Sequence, residues 1–258
     1  MSASLTLASL PVDVFLMFAV FCRVGAMFMT APAFGDFSLS PRLRLAAALA
    51  VTAALAPVTA PLYPNWAQSG GVGIMGGIII GEVLAGAFLG LAARLMMSAL
   101  NVAGQIIAFQ MGLSLAQIFD PTQELQGAIV GGFLAILGTT MIFVTDLHHM
   151  LLAAIRDSYV LMAPGSLPRF GDMSTVMVET LSSAFSLGLR LSAPFVLFGL
   201  VFYVGAGVLN RLMPQAQVFF MLMPANLGLG LMLLMLTVGL MMTVFLEQFE
   251  AFLAQFLV

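Results

Sequence analysis

The feature that most constrains this chain is the length of its uncharged apolar stretches. A helix of about 20 residues crosses the hydrocarbon core of a bilayer. Only 7% of the 258 residues are charged and 62% are hydrophobic, whereas a soluble domain carries about 25% charged residues. We therefore predict a membrane protein that crosses the bilayer several times. The uncharged stretches are Leu45–Gly81, Leu95–Phe119, Leu125–Thr145, Leu191–Asn210 and Leu212–Leu246.

The same stretches predict the fold class. Inside lipid, each backbone polar group must find its partner within the protein, so only helices and closed barrels span the membrane. Barrel strands would be short segments with alternating apolar and polar residues, whereas these stretches are continuous and rich in Leu, Met, Ala, Phe and Gly. We predict an all-α, multi-helix membrane protein.

Charge, cysteine content and motifs exclude several function classes. All eight basic residues are Arg and the net charge is -3, which gives no basic surface for nucleic acid. Cys22 is the single cysteine, so neither a disulfide framework nor a thiolate metal cluster is available. The sequence has no P-loop, HExxH helix, dinucleotide fingerprint or nucleophile elbow. We predict a protein that is not an enzyme and that has no cofactor.

Prolines and polar residues predict the boundaries of the segments. The first apolar segment runs from about Leu10 to Phe34 and is expected to be retained. The helix at Leu45–Ala56 is predicted to end at Pro57. A polar connection from Arg156 to Asp172 separates two halves. In the second half, Arg190 and Pro194 are expected to interrupt a long apolar tract, and the chain finishes in a hairpin of two long helices.

Glycines and buried charges indicate close helix packing. Gly73, Gly77 and Gly81 recur every fourth residue, and Gly86 and Gly90 repeat the spacing, which is typical of helices whose axes approach closely in lipid. Glu82 lies beside this face, and its partner could be Arg94 or another chain. Ionisable residues inside a span usually face protein or water.

Two further clusters of polar residues stand out. Between Asn101 and Gln123, amide side chains are scattered through apolar residues, which suits a cavity lining or a protein interface rather than a lipid-facing surface. Asp146, His148 and His149 follow the span that ends at Thr145. They are more typical of a hydrated helix end than of a metal or proton site.

Several motifs are distributed along the chain, among them Arg23–Met27, Ala31–Gly35, Ala103–Gln105, Phe109–Gly112 and Asn210–Gln215. Together they resemble the FliR family of the bacterial flagellar type III secretion apparatus. They occur in the family's order over nearly the whole length. Leu147 departs from the pattern, because the family has an Asp-Gly-His motif there. The matching residues are Arg23–Met27, Ala31–Gly35, Pro41, Arg42, Arg44, Ala103–Gln105, Phe109–Gly112, Asp120, Pro121, Asp146, His148, Asn210–Gln215, Val218 and Pro224.

The resemblance implies a component of the export gate in the bacterial inner membrane, within the flagellar basal body. The partners would be the P and Q export-gate subunits, switch protein B, the large A-type export protein and membrane lipid, and unfolded flagellar proteins would pass through the channel. The chain would form one structural unit with a P-like helical region, 1–172, and a Q-like helical hairpin, 173–258. It would pack in a hetero-oligomeric helical ring.

The resemblance also implies roles for particular residues. A pore-plug loop would lie at about 106–123, which we call the plug segment. The chain has 20 methionines. From the chemistry of this residue we predict that most of them fill irregular gaps in the packing, and the alternative is that they form a deformable seal. The plug or gate residues would be Phe109, Gln110, Met111, Gly112, Phe119, Asp120 and Pro121, and the hairpin turn would hold Asn210, Arg211, Pro214 and Gln215.

Three other interpretations remain open at this point. An injectisome homologue of the export gate would share the same motifs. A small-solute or ion transporter would use Arg23, Glu82, Asp146 and His148 as substrate or proton-relay groups, although the sequence shows no convincing internal repeat. A purely structural membrane scaffold is the third. Co-purification with P-like and Q-like proteins distinguishes the export gate from the last two.

Overall fold

In the computed structural model, the described part of the chain consists of helices, turns and short connections, with no strand. It comprises residues 10–32, 34–35, 40–63, 72–113, 125–165, 170–213 and 218–257. Seven α-helices and one short 3₁₀ helix occur in these ranges. The α-helices are α1 (Leu10–Thr30), α2 (Pro41–Thr59), α3 (Val72–Gln110), α4 (Leu125–Val144), α5 (Leu147–Leu161), α6 (Phe170–Leu212) and α7 (Val218–Ala254).

Four of these helices are long and apolar enough to cross a membrane, and a fifth span is counted if α4 and α5 together form one broken span. The described apolar part of α1, Val14–Thr30, is shorter. The prediction of an all-α membrane protein is confirmed. The four spans are Pro41–Leu62, Gly73–Gln110, Phe170–Leu212 and Met221–Ala254.

Helix α6 is continuous over 43 residues, so the predicted interruption at Arg190 and Pro194 is wrong. Arg190 is exposed and need not enter the interior of the fold. Pro194 removes one backbone hydrogen bond, a loss that long apolar helices tolerate because neighbouring groups compensate. At 1.5 Å per residue, α6 is about 65 Å long, which exceeds the roughly 30 Å of hydrocarbon in a bilayer.

Helix α2 begins where the turn-forming residues predict but ends later than predicted. The backbone N–H of Leu43 donates to Oγ of Ser40, and Pro41 occupies the first turn, where its missing N–H is not needed. The expectation that Pro57 ends the helix is wrong, because α2 continues to Thr59 and a 3₁₀ turn follows at Ala60–Leu62. Pro57 lies in the last turn, where it removes one hydrogen bond only.

The polar connection between the two halves is shorter than the predicted Arg156–Asp172. Arg156 and Asp157 belong to α5, which ends at Leu161. Arg156 is exposed, whereas the Asp157 side chain is buried and accepts a hydrogen bond of 2.6 Å from Arg156 Nε. The helix therefore accommodates this charged pair in its last turns, and composition alone placed the boundary too early.

The chain folds into two compact units. The first combines the residues up to Leu95 with Asp146–Thr180 and the residues from Glu250 onwards, and the second combines Met96–Thr145 with Leu181–Phe249. In the first unit, α1 packs along α2. The predicted division into a P-like region, 1–172, and a Q-like hairpin, 173–258, stays a prediction. Large buried residues are Tyr159, Ile155 and Leu151 in the first unit and Leu100, Ile107, Leu134, Phe195 and Phe245 in the second.

Candidate functional site

A buried ion pair joins α1 to α3 within the first unit. Arg23 and Glu82 are 2% and 1% exposed, so neither charge is solvated by bulk water. Arg23 Nε donates to Glu82 Oε2 at 2.6 Å and Nη2 donates to Oε1 at 3.2 Å. This bidentate geometry satisfies both carboxylate oxygens and is the strongest arrangement for an arginine and a carboxylate.

The remaining faces of the Arg23 guanidinium are also satisfied. Nη1 donates to Oγ of Ser158 at 3.0 Å, and Nη2 donates to the carbonyl oxygen of Met162 at 2.9 Å. The guanidinium carbon lies 3.9 Å from the centroid of the Tyr159 ring, which is favourable for a cation over an aromatic face. One side chain therefore connects α1, α3 and the C-terminal end of α5.

Two tyrosines close the cluster. Tyr63 and Tyr159 are buried, and their ring centroids are 6.5 Å apart. Burial raises the pKa of the Tyr63 phenol far above its ordinary value, so Tyr63 stays neutral at physiological pH. The cluster thus has one cation and one anion in an aromatic setting, and the two charges compensate each other.

Glycines on α3 allow α1 to pack closely against α3 next to the ion pair. A Cβ added at Gly86 would collide with the carbonyl oxygen of Arg23, and one added at Gly90 would collide with Thr30 Oγ1. The predicted close approach is therefore made by these two glycines. Nothing among the described residues lies within 4 Å of a Cβ built on Gly73 or Gly77, so the described part of the chain leaves that end of the glycine pattern uncovered.

The four polar residues that the sequence singled out lie in two separate clusters. Arg23 and Glu82 pair with each other, which settles the partner of Glu82 within this chain. Asp146 and His148 belong to a different cluster at the start of α5, whereas Ser158 and Tyr159 lie near the other end of that helix. The Arg23 network is closed by its own partners, which suits a structural clamp better than a relay.

The second cluster of polar residues, Asp146, His148 and His149, lies at the start of α5. Asp146 adopts a left-handed conformation, φ 59°, and precedes the first residue of the helix. His149 Nδ1 lies 3.6 Å from Asp146 Oδ1, and both side chains are largely exposed. The ring centroids of His148 and His149 are 4.1 Å apart. One ligand atom from each of the three residues lies within 4.8 Å of the others, and the hydrated helix end stays our interpretation.

A second candidate site lies at the C-terminal end of α3, in the second unit. Gly112 adopts a left-handed conformation, φ 78°, which glycine accepts without strain. The N–H of Leu113 donates to the carbonyl of Ala108 at 3.0 Å, and the N–H of Gly112 donates to that of Phe109 at 3.1 Å. This pair of bonds is a Schellman motif. The helix therefore continues through Gln110, beyond the predicted start of the plug segment at 106.

Helices α6 and α7 hold this end of α3. Asn226 on α7 is 3% exposed, and its Nδ2 donates to the backbone carbonyl of Gln110 at 3.1 Å. A Cβ added at Gly199 on α6 would collide with the Gln110 side chain, and one at Gly230 on α7 would lie 2.5 Å from Met111 Cγ. Both neighbouring helices therefore present a glycine where α3 ends.

The structure also separates the predicted plug residues. Met111 is buried, whereas Phe109 is 63% exposed. Met111 therefore fills space beside Gly230, as the packing interpretation of methionine predicts, and Phe109 is available to contact other molecules. Phe119, Asp120 and Pro121 lie outside the described residues. In the hairpin turn, Asn210 and Arg211 are exposed at the end of α6, and Pro214 and Gln215 lie outside the described residues.

Sequence reasoning did not single out Ser158, Tyr159 or Asn226. Nothing in the local sequence marks Ser158 or Tyr159 as partners of Arg23, which precedes Ser158 by 135 positions. Asn226 carried a usable signal, since it is the only amide in the long uncharged stretch from Val218 to Leu246. Such a residue inside a span needs a polar partner, although its position along the chain does not say which one.

Comparisons with known proteins agree with the motifs. Residues 14–252 match the model of the family described as bacterial export proteins, family 1. The flagellar biosynthetic protein FliR of Caulobacter vibrioides is 41% identical over 221 residues, which cover 85% of this chain and 87% of the relative. The FliR proteins of Bacillus subtilis and Escherichia coli are each 27% identical, covering 87% and 82% of this chain and 86% and 80% of their own lengths.

The helices and the buried Arg23–Glu82 pair define an α-helical membrane protein with a compensated ion pair in its interior. The matched model spans nearly all of α1 to α7. The chain belongs to the bacterial export proteins, family 1, and the predicted resemblance to FliR is confirmed.

Proposed function

We propose that this protein is a component of the flagellar type III export gate, where it forms part of the channel through which unfolded flagellar proteins cross the inner membrane. The observation that carries the proposal is the match to flagellar biosynthetic proteins over most of the chain. It is a non-enzymatic role, and it is needed for assembly of the flagellum.

Exposed apolar surface supports a protein that is covered by lipid and by partner subunits. On α6 and α7, many large hydrophobic side chains are more than half exposed. Large apolar side chains that are exposed in such numbers mark membrane or protein contacts. We propose that the P and Q subunits, switch protein B and the large A-type export protein cover part of it in the basal body. Examples are Leu197, Val201, Leu212, Met221, Met235, Leu236 and Leu240.

The contacts at the end of α3 support the proposal of a plug segment, because they hold the residues from which that segment continues. Gln110 and Met111 are held by α6 and α7 through close contacts, and Gly112 then ends the helix in a left-handed conformation. An exposed Phe109 beside this turn can contact apolar side chains of neighbouring subunits. We propose that the plug segment closes the channel and that its displacement lets substrate pass.

The transporter alternative receives less support from the first unit. A relay needs ionisable groups that exchange partners along a path, whereas Arg23 and Glu82 bind each other and fixed groups of α5. The relatives that match this chain carry the name flagellar biosynthetic protein, which favours the flagellar apparatus over the injectisome.

Association with partner subunits gives the first test. We expect the tagged chain, extracted in mild detergent from its own cells, to co-purify with P-like and Q-like subunits. A deletion strain should lack flagella and regain them when the gene is restored. Recovery of the chain as a stable homo-oligomer that binds neither of these partners would contradict the proposal.

Ion leakage gives the second test, which addresses the plug. Deletion of residues 114–120 should increase ion leakage through the assembled gate, while a deletion of three residues in the connection between α5 and α6, residues 166–168, should not. Leakage per assembled complex is measured in cells or proteoliposomes. Equal leakage in the two variants would remove the plug role.

A further inference from the structure

One face of α6 changes from polar to apolar at Arg190. Residues 18 positions apart point the same way on a helix, because 18 residues make five full turns. Ser183 and Val201 are such a pair, and both are exposed. Before Arg190, the face carries Glu179, Ser183 and Ser186. After Arg190, its side chains are apolar and more than half exposed, namely Leu197, Val201, Val204 and Val208. The first half of this face therefore suits water, and the second half suits an apolar environment.

The apolar part of the face has the length of a bilayer core. Arg190 and Arg211 are both exposed, and they lie 21 residues apart on α6, which is about 31 Å along the helix axis. The hydrocarbon core of a bilayer is about 30 Å thick. No Asp, Glu, Lys, Arg or His occurs between the two arginines. This part of α6 is therefore long enough to cross the hydrocarbon and ends in a cation on each side.

The exposed apolar surface of α7 has a similar length. Its described large apolar side chains that are exposed run from Met221 to Leu240, a distance of about 28 Å. The next exposed side chains after Leu240 are those of Thr243 and Glu247. We call the exposed surface of α6 from Leu191 to Leu209 and of α7 from Met221 to Leu240 the apolar band.

The apolar band ends at the same level on both helices. Ala206 on α6 and Leu222 on α7 line one cavity, which gives a common reference point in the second unit. Arg190 lies 16 residues before Ala206, and Leu240 lies 18 residues after Leu222. These separations correspond to about 24 Å and 27 Å along the two helices. The change from apolar to polar surface thus occurs within about one helical turn of the same level.

Two features of the apolar band favour lipid over a protein partner. A bilayer core has the same thickness for each helix that crosses it, whereas the edge of a protein contact follows the shape of the partner. Arginine at each edge is the second feature. Its long apolar stem can remain on the hydrophobic surface while the guanidinium reaches the headgroup layer, and a guanidinium binds phosphate through two parallel hydrogen bonds.

We propose that lipid acyl chains cover the apolar band, and that Arg190 and Arg211 bind the phosphate groups of lipids in the two leaflets. The inference goes beyond the proposed function, because it concerns the bilayer and not the export channel. The first half of α6, from Phe170 to Leu189, is about 30 Å long and projects from the membrane. Partner subunits then cover apolar surface that lies outside the apolar band.

Nitroxide labels on single cysteines test the lipid contact. The whole gate is assembled from its native subunits in the Cys22→Ser background and reconstituted in vesicles of phosphatidylcholine and phosphatidylglycerol. Oxygen is apolar and concentrates in the acyl chains, whereas a charged or chelated nickel probe stays in water. The ratio of oxygen to nickel collisions should be severalfold higher for a label at Val201→Cys than for one at Ser183→Cys, the matched position on the same face. A label at Leu236→Cys, on α7, should behave like the one at Val201→Cys.

The possible outcomes separate lipid from the other coverings. A label at Val201→Cys that is protected from both oxygen and nickel would show that a protein covers the apolar band. Free access of nickel would show that water covers it. Either result would overturn the inference, and the label at Leu236→Cys decides if the Val201→Cys gate does not assemble. Co-purification of P-like and Q-like subunits is measured on the same complexes, so the gate function can stand when the lipid contact fails.

A label at Ser186→Cys tests the arginine contact, because Ser186 lies about 6 Å before Arg190 along the helix. Arg190→Leu extends the apolar surface toward Leu189 and Phe185, which are about half exposed. Lipid should then reach further along α6, and nickel access to the label should fall severalfold. Arg190→Lys retains the cation and Arg211→Leu lies at the opposite edge, so both should leave the label unchanged. Unchanged nickel access in Arg190→Leu would overturn the phosphate contact.

Discussion

Arg23 Nε lies 2.6 Å from Glu82 Oε2, and both side chains are almost completely buried. The two residues come from α1 and α3, so their ion pair fixes the relation of these helices within the first unit. The desolvation of two buried charges is compensated by the bidentate bonds, by Ser158, by the Met162 carbonyl and by the Tyr159 ring. Removing any one of these partners leaves the desolvation of the buried charges less well compensated, which destabilises the fold.

Breaking the ion pair should destabilise the first unit strongly. Arg23→Leu leaves Glu82 buried without a counter-charge, at a cost of about 3–5 kcal/mol. Thermal unfolding of the detergent-solubilised protein measures the effect. Arg190→Leu, at an exposed position on α6, is the control and should change stability by less than about 0.5 kcal/mol. The double variant Arg23→Leu with Glu82→Leu should recover part of the loss, and an equal or larger loss would contradict the pairing argument.

The two ends of the glycine pattern on α3 should respond in opposite ways to alanine. Gly86→Ala places a methyl group against the Arg23 carbonyl and should destabilise the protein by about 1–3 kcal/mol through overpacking. Gly77→Ala meets nothing within 4 Å among the described residues and should be neutral or stabilising by up to about 1 kcal/mol. The measurement is the unfolding temperature of the isolated chain. A reversed order would show that α1 does not pack on this face.

The glycines on α7 provide a test of how the end of α3 is held. Gly230→Ala forces its methyl group against Met111 and should shift the start of the plug segment, which raises leakage of the assembled gate severalfold. Gly228→Ala is two residues earlier on the same helix, where nothing among the described residues lies within 4 Å of the added methyl. Leakage of this control should equal that of the unmodified gate. Equal leakage in both variants would contradict the packing argument.

Gly112 and Gly165 form a matched pair for backbone strain. Both have positive φ, 78° and 80°, so alanine at either position should cost about 1–2 kcal/mol. Gly112→Ala should also increase ion leakage, because its strain falls on the turn that begins the plug segment. Gly165→Ala, in the connection after α5, should lower stability to a similar degree without changing leakage per complex. A leak of the same size in both variants would mean that strain at any site opens the gate.

The sequence determined the class of the protein and the order of its helices. Apolar stretches without charges permit few structures in a bilayer, so the helical membrane fold followed from composition and length. The motifs indicated the family for the same reason that the comparisons did, because they are distributed along nearly the whole chain. The predicted helix boundaries at Pro57, Arg156 and Pro194 were wrong, since tertiary packing overrides a single unfavourable residue.

Only the tertiary structure decided which polar residues pair. Glu82 could have paired with Arg94 on its own helix or with another chain, and the fold brings Arg23 to it from 59 residues away. Asn226 was visible as an isolated amide, yet its bond to the Gln110 carbonyl depends on where α7 passes the end of α3. The 3.6-residue repeat of a helix lets the sequence predict which residues share a helix face. Contacts between helices depend on how whole faces pack together, and only the complete fold decides that packing.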